Sequence, residues 1–361
     1  MLLVPDVGEK KATIVVLLIL SLVLISLQNV RLVKADNTVH IMANGIVKGT
    51  DRIARNNDTY TFTGDIFSAI IIERNYTTVD GNGYKLQGSG SGNGLTLQGP
   101  EYTLLQGYLS NVTIKNMQIQ NFERGIVLNN CKDCNISGNS LTSNTIGMYL
   151  VGSPDIIITK NNITNNRFRG LQLYVGSHGY LISGNNISSN EKYGFVISDS
   201  SRGNIISKNT ISNNSNGLNI EHSWGNIITE NNITDNKLGI RLLKCYDNTL
   251  YLNSFDNYEQ IYVEYALKID NDWSNQWDNG TIGNFWSDYT GDDADDDGIG
   301  ETPYVINDEN YDNYPLMPPF EAVPSTEPQP KEPFPTTLII ASIITVAIVG
   351  VLLVYFKKRK H

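Results

Sequence analysis

The densest run of cation-binding oxygen in the chain is Gly291-Asp292-Asp293-Ala294-Asp295-Asp296-Asp297-Gly298-Ile299-Gly300-Glu301. Asp293, Asp295 and Asp297 alternate and Gly298 follows. Ile299 and Glu301 then fall where a calcium loop takes a main-chain carbonyl and its ninth-position ligand. Hard cations demand many oxygens, and carboxylates this close repel one another unless a cation lies among them. The twelfth position is Tyr304, not the bidentate Glu of an EF-hand. The expectation is therefore a calcium site of modest affinity on a different frame, weighed against a plain solvated acidic turn.

A second set of reactive types is spread over three stretches: Asp199 with Arg202, Glu221 with His222, and Arg241 with Lys244. Asp199, Glu221, His222 and Arg241 include the acid, base and cation of a general acid–base set. With Tyr149, Gln172, Asn219 and Trp224 added, the same residues read as a saccharide groove. No carboxylate pair recurs in a way that specifies glycoside hydrolysis. A charged outer face is also the ordinary state of a soluble repeat protein. No catalytic residue is therefore assigned, and an enzyme is the rival reading.

What must position these residues is a repeat. Gly125, Gly147, Gly170, Gly194, Gly217 and Gly239 are 22, 23, 24, 23 and 22 residues apart. Leu141, Ile163, Ile187, Ile211, Ile233 and Phe255 keep step, each with an Asn two positions earlier: Asn139, Asn161, Asn185, Asn209, Asn231 and Asn253. Between these landmarks the apolar residues alternate or form short runs, and helical spacing is missing. Three short strands and three corners in about 22 residues make one turn of a parallel β-helix. Rungs about 4.8 Å apart then stack equivalent residues into columns. One inward column is Ile126, Met148, Leu171, Phe195, Leu218 and Ile240, and the next is Leu128, Leu150, Leu173, Ile197, Ile220 and Leu242. Stacked Asn side chains bond to their copies above and below. Asn219 and Arg241 point outward.

The predicted fold is all-β, with residues 71–265 forming the β-helix. An N-terminal cap spans 36–70 and an aromatic and acidic cap spans 266–317, because open β-helix ends expose unpaired strand edges. Trp273, Trp277, Phe285, Trp286, Tyr289, Tyr304, Tyr311 and Tyr314 crowd the second cap. They read as a hydrophobic plug in preference to a sugar platform.

Both ends of the chain carry address signals. Residues 1–35 have a basic start, an apolar run from Ala12 to Leu27 and a small residue at Ala35, as a secretory signal does. Residues 318–335 are rich in Pro and Glu and read as a stalk. Residues 336–356 are an apolar run long enough to span a bilayer, and the basic tail 357–361 follows, which sets the C-terminus in the cytoplasm. The β-helix is expected outside a single-pass membrane anchor, and sequons such as Asn57, Asn75 and Asn279 are candidate glycan acceptors. The formal charge is −10. Because both terminal segments are net positive, the part between them is more acidic still, which excludes nucleic acid as a partner and favours divalent cations and neutral or basic glycans.

The three cysteines, Cys131, Cys134 and Cys245, make no disulfide framework. Cys131 and Cys245 align with Ser153, Ser200 and Ser223 in a small-residue column, five rungs or roughly 24 Å apart, too far to bridge.

Several stretches together resemble a known family. They are Ile71-Ile72-Glu73-Arg74 leading to Val79-Asp80-Gly81-Asn82-Gly83, the Asn–Gly repeats, and Gly283-Asn284-Phe285-Trp286-Ser287-Asp288-Tyr289. Asp295 to Gly300, Thr302-Pro303-Tyr304 and Asp312-Asn313-Tyr314-Pro315-Leu316 complete the set. Over most of residues 36–317 the chain is similar to the NosD-type β-helix proteins, within the wider group of carbohydrate-binding proteins and sugar hydrolases. The resemblance implies a right-handed single-stranded parallel β-helix. It also implies either a polysaccharide partner or a role like that of the family's founding members, periplasmic factors tied to copper loading of nitrous oxide reductase. Copper calls for clustered soft ligands. Here His40, His178, His222 and His361 are scattered and the five Met are not grouped. A copper role is therefore not expected. The leading expectation is a polysaccharide-binding or structural and adhesive surface element with a calcium-stabilised cap.

Overall fold

The structure is a computed structural model in which residues 38–99, 107–264 and 274–318 are described. The expected leader, the stalk beyond Pro318, the membrane span, the basic tail and Trp273 lie outside these residues. Among the described residues every regular element is a strand, and no helix is long and apolar enough to cross a membrane.

The strands form three long sheets of eleven, ten and nine members, each made of successive chain passes. This is a parallel β-helix of the right-handed type, of about nine turns. One sheet collects the six-residue strands, from Asn93–Gln98 through Arg124–Asn129, Ile146–Val151, Arg169–Tyr174, Tyr193–Ser198, Asn216–Glu221 and Leu238–Leu243 to Glu259–Glu264. We call it the long-strand sheet. The other two are built from strands of two to four residues. At the N-terminal edge, Val39–Ile41 pairs with Val47–Lys48 antiparallel and with Ile70–Ile72 in parallel, so the first hairpin is continuous with the long-strand sheet.

Register bears out the inward columns. Ile126, Met148, Leu171, Phe195, Leu218 and Ile240 pair one to the next, as do Leu128, Leu150, Leu173, Ile197, Ile220 and Leu242. Nearly all are wholly buried. Each such side chain contributes on the order of 1.5–3 kcal/mol by leaving water, so the narrow core needs no covering helix.

The asparagines run as hydrogen-bonded ladders. From Asn139 to Asn284 each Nδ2 donates to the Oδ1 of the next copy, at 2.9–3.0 Å. Two further ladders were not anticipated: Asn144 through Asn257, and Asn204 through Asn275. Each ladder amide is bonded to its neighbour, which is what makes polar residues tolerable in such a core.

The repeat glycines are required by crowding. A Cβ on Gly217 would lie 2.6 Å from the Gly239 carbonyl oxygen and 2.9 Å from Asn236 Nδ2, so an amide ladder and the next rung already fill that space.

One column differs from the expected alignment. The buried small-residue column reads Cys131, Ser153, Ser177, Ser201, Ser223 and Cys245, with Ser201 in place of Ser200, which is exposed. The cause is an extra corner residue: Asp199 and Ser200 both take left-handed backbone, at φ 57° and 65°.

At the C-terminal end Trp277 and Trp286 are buried in the core. The Trp286 ring lies between Phe255, at 4.4 Å, and Tyr304, at 4.3 Å. The last rung thus meets stacked aromatic surface instead of water.

Candidate functional site

Alternation along the long strands turns every second side chain outward, and register stacks these into columns. The central outward column is Val127, Tyr149, Gln172, Val196, Asn219, Arg241 and Tyr262. The structure therefore brings together four of the five residues read as a groove: Tyr149, Gln172, Asn219 and Arg241. The fifth, Trp224, is elsewhere. It belongs to a corner column, His178, Arg202, Trp224 and Tyr246, where its ring stacks on Tyr246 at 5.4 Å under the Arg202 guanidinium.

Although outward, Gln172 and Asn219 are only 5% and 2% exposed. Longer side chains cover them: Arg169 bonds Gln172, and Arg241 and Glu221 bond Asn219. Arg241 Nη1 donates to Glu221 Oε1 at 2.8 Å and to Asn219 Oδ1 at 3.3 Å, and Asn219 Nδ2 donates to Glu221 Oε1 at 2.9 Å. Around this triad a cleft of about 590 Å³ opens, lined by Tyr193, Glu221, Arg241, Glu259 and Tyr262 among others. Toward the N-terminal rungs, Tyr149 stacks on Tyr174 with ring centres 6.0 Å apart, and the Arg124 guanidinium lies 5.0 Å from the Tyr149 ring. Tyr174, Tyr193, Tyr262, Arg124 and Arg169 were missed in the sequence. Tyr262 had a positional signal, one rung from Arg241, and Tyr174 lies two residues along the strand from Gln172, whereas Arg124, Arg169 and Tyr193 stand in an edge column from which no residue was named.

The acid–base set is not drawn into one constellation. Asp199, His222 and Lys244 do lie one above another, but on a left-handed corner with φ of 57°, 47° and 52°, all exposed. Among the described residues no side-chain hydrogen bond joins His222 to Asp199 or Glu221. Glu221 is engaged by Arg241 and Asn219. Burial pushes the Tyr149 phenol above its ordinary pKa, although Arg124 pulls the other way. It is therefore not poised as a base.

In the acidic loop the carboxylates of Asp293, Asp295 and Asp297 place ligand oxygens within 4.8 Å of one another. Asp293 accepts from the backbone amides of Asp297 and Gly298, and Asp297 accepts from that of Ile299. Glu301 is exposed and outside the converging set.

Among the described residues no cysteine or histidine belongs to a converging set of three or more ligands. Cys131, Cys134 and Cys245 are buried free thiols, each bonded to backbone carbonyls. Burial raises all three, Cys134 and Cys245 to about 11, so they are held as neutral thiols.

No curated relative matches the chain in sequence. Similar solved structures include a mutant of the periplasmic alginate epimerase AlgG, at 16% identity and TM-score 0.45, with 66% of this chain and 74% of that one covered. Tailspike protein 2 of Escherichia coli O157:H7 bacteriophage CAB120 is 14% identical with TM-score 0.47, over 57% of this chain and 34% of that one. The Azotobacter vinelandii mannuronan C-5 epimerase AlgE4 A-module is 14% identical with TM-score 0.36, over 69% and 83%. The family model described as periplasmic copper-binding protein (NosD) matches residues 72–291. That span takes in the repeats, the long-strand face and the start of the acidic loop, and on it the chain belongs to the NosD family.

Proposed function

We propose that the protein binds an extended polysaccharide along the outer face of the long-strand sheet, outside the cell, on a single-pass membrane anchor formed by residues 336–356. The observation that carries this reading is the column from Tyr149 to Tyr262. Tyr149 and Tyr262 stand at its two ends and offer rings that suit sugar faces, while the amides of Gln172 and Asn219 and the Arg241 guanidinium between them suit hydroxyls, across six successive rungs that also include Val196. A groove running along the axis fits a chain-like ligand. Binding is favoured over turnover because Glu221 is engaged by Arg241, while Asp199, His222 and Lys244 are set apart on the corner.

A calcium ion held by Asp293, Asp295 and Asp297, with the Ile299 carbonyl and Glu301 as outer candidates, would tie the acidic loop to the C-terminal aromatic stack. The convergence of three hard carboxylates supports it. The copper suggested by the family description does not fit the described residues. Their thiols are held neutral by burial, and His40, His178 and His222 lie on different faces or rungs. A metal-loading factor is the weaker reading for that reason.

A glycan array probed with the full chain tests the proposal, followed by reducing-end assays on each hit. Binding without release of reducing ends is expected. Turnover abolished by His222→Ala would establish a carbohydrate-active enzyme instead, and silence on all glycans would leave a structural or adhesive role.

A further inference from the structure

We propose that the N-terminal half of this face holds a subsite for the carboxylate of an acidic sugar, between Arg124 and Arg169. The inference rests on the glycan-binding reading and gives it a ligand class, contrary to the neutral or basic glycan that net charge alone favours.

Arg124 and Arg169 occupy one edge column with Ile146 between them, so their backbones are two rungs apart, roughly 10 Å by the strand spacing. Both are incompletely partnered. Arg169 Nη1 donates to Gln172 Oε1 at 2.6 Å, a neutral acceptor, and the guanidinium lies 4.6 Å from the Phe168 ring and 5.6 Å from that of Tyr193. Among the described residues no carboxylate is within ion-pair reach of it. Arg124 meets Glu123 at 3.3 Å across an exposed side chain. The Nε atoms of both are buried without an acceptor.

A buried donor left unmet carries a real free-energy cost. Those Nε atoms are enclosed, so a bound anion would meet the outer Nη groups of the two guanidiniums, which stand in one column and are only partly engaged by their neighbours. Guanidinium is the group suited to it, because its planar fork matches a carboxylate with two parallel hydrogen bonds. Tyr149 sits on the rung between the two cations, which both act on its hydroxyl with the Asp199 carboxylate opposing them, and its stack with Tyr174 offers ring surface to the sugar bearing the charge.

Charge around the rest of the cleft gives the ligand a direction. Glu221, Glu259 and Glu264 gather on the C-terminal rungs, where Arg241 lies 2.8 Å from Glu221 and 3.9 Å from Glu264. The carboxylate is therefore accepted at the Arg124–Arg169 end and repelled at the other.

The test is binding of the full chain to polygalacturonate and hyaluronate, each beside its carboxyl-reduced, uncharged counterpart. The acidic forms should bind at least tenfold more tightly. Arg169→Gln and Arg124→Gln should each lose roughly tenfold on the acidic forms and little on the reduced ones. Lys208→Gln, the same charge change on the corner that follows strand Ile205–Ser207, should lose neither, and unchanged melting temperatures verify the fold of each variant. Equal affinity for acidic and reduced forms, or full affinity in both arginine variants, overturns the subsite and leaves glycan binding standing. Failure of both the acidic and the reduced forms to bind overturns the glycan reading and the subsite with it.

Discussion

Asn284 and Asp312 end the amide ladder that begins at Asn139: the Asn284 backbone N–H and its Nδ2 both donate to Asp312 Oδ2, at 2.7 and 3.3 Å. Every amide in the ladder points its NH2 toward the C-terminus, so the last acceptor faces a row of aligned dipoles at their positive end. A carboxylate, which only accepts, suits that place. Trp286 Nε1 and the Tyr314 amide also donate to it, at 2.8 and 3.1 Å.

Burial nevertheless raises the Asp312 carboxyl to about 6, against those donors. A folded pKa above the unfolded one means that this group's stabilisation is complete below about pH 4 and is lost as the pH rises through 6. Asp312→Asn keeps an acceptor and removes the titration. The stability difference between the two proteins should shift in favour of the variant between pH 4 and 7, by up to about 3 kcal/mol. Urea melts at a series of pH values measure it, and a difference independent of pH would refute the assignment.

Gly217→Ala should destabilise by on the order of 1–3 kcal/mol, because the added methyl meets backbone and a ladder amide that cannot both retreat. Gly203→Asn is the contrast. It lies at φ 61° with nothing within 4 Å of an added Cβ, and Asn tolerates that backbone, so its melting temperature should change little.

The inward columns and the Asn139 ladder were legible in the sequence because stacking copies one rung onto the next. Spacing alone then fixes which residues meet. The same logic would have found the Asn144 and Asn204 ladders. The exceptions come where a rung changes length. Two left-handed corner residues, Asp199 and Ser200, shift the small-residue column by one, and no periodicity reveals which of two adjacent serines turns inward. Trp224 was misplaced into the groove for a related reason. Rung number is visible in a sequence, but whether a residue lies on a strand or around the next corner is a matter of backbone geometry. That Asn219 is outward yet covered depends on the reach of Arg241 and Glu221, side chains from two rungs.

The three thiols should resist alkylating and disulfide reagents in the native protein and react only on unfolding, since burial keeps them protonated. Cys245→Ser should cost about 1 kcal/mol or less, because a hydroxyl can reach the Ile220 and Leu243 carbonyls that Sγ now bonds at 3.1 and 3.2 Å. Rapid labelling of the folded chain would contradict this.

Calcium should raise the melting temperature, with stabilisation approaching about 2.7 kcal/mol at a hundredfold excess over the dissociation constant. Asp295→Ala should remove the response. An identical melting curve with calcium and with chelator would dismiss the site.

The most direct test of a ligand-bearing long-strand face is the affinity of the full chain for its best array glycan before and after Tyr149→Ala together with Tyr262→Ala. These changes strip ring surface from both ends of the central column while leaving the inward core untouched. The account predicts a loss of at least tenfold with the melting temperature unchanged; undiminished affinity would contradict it.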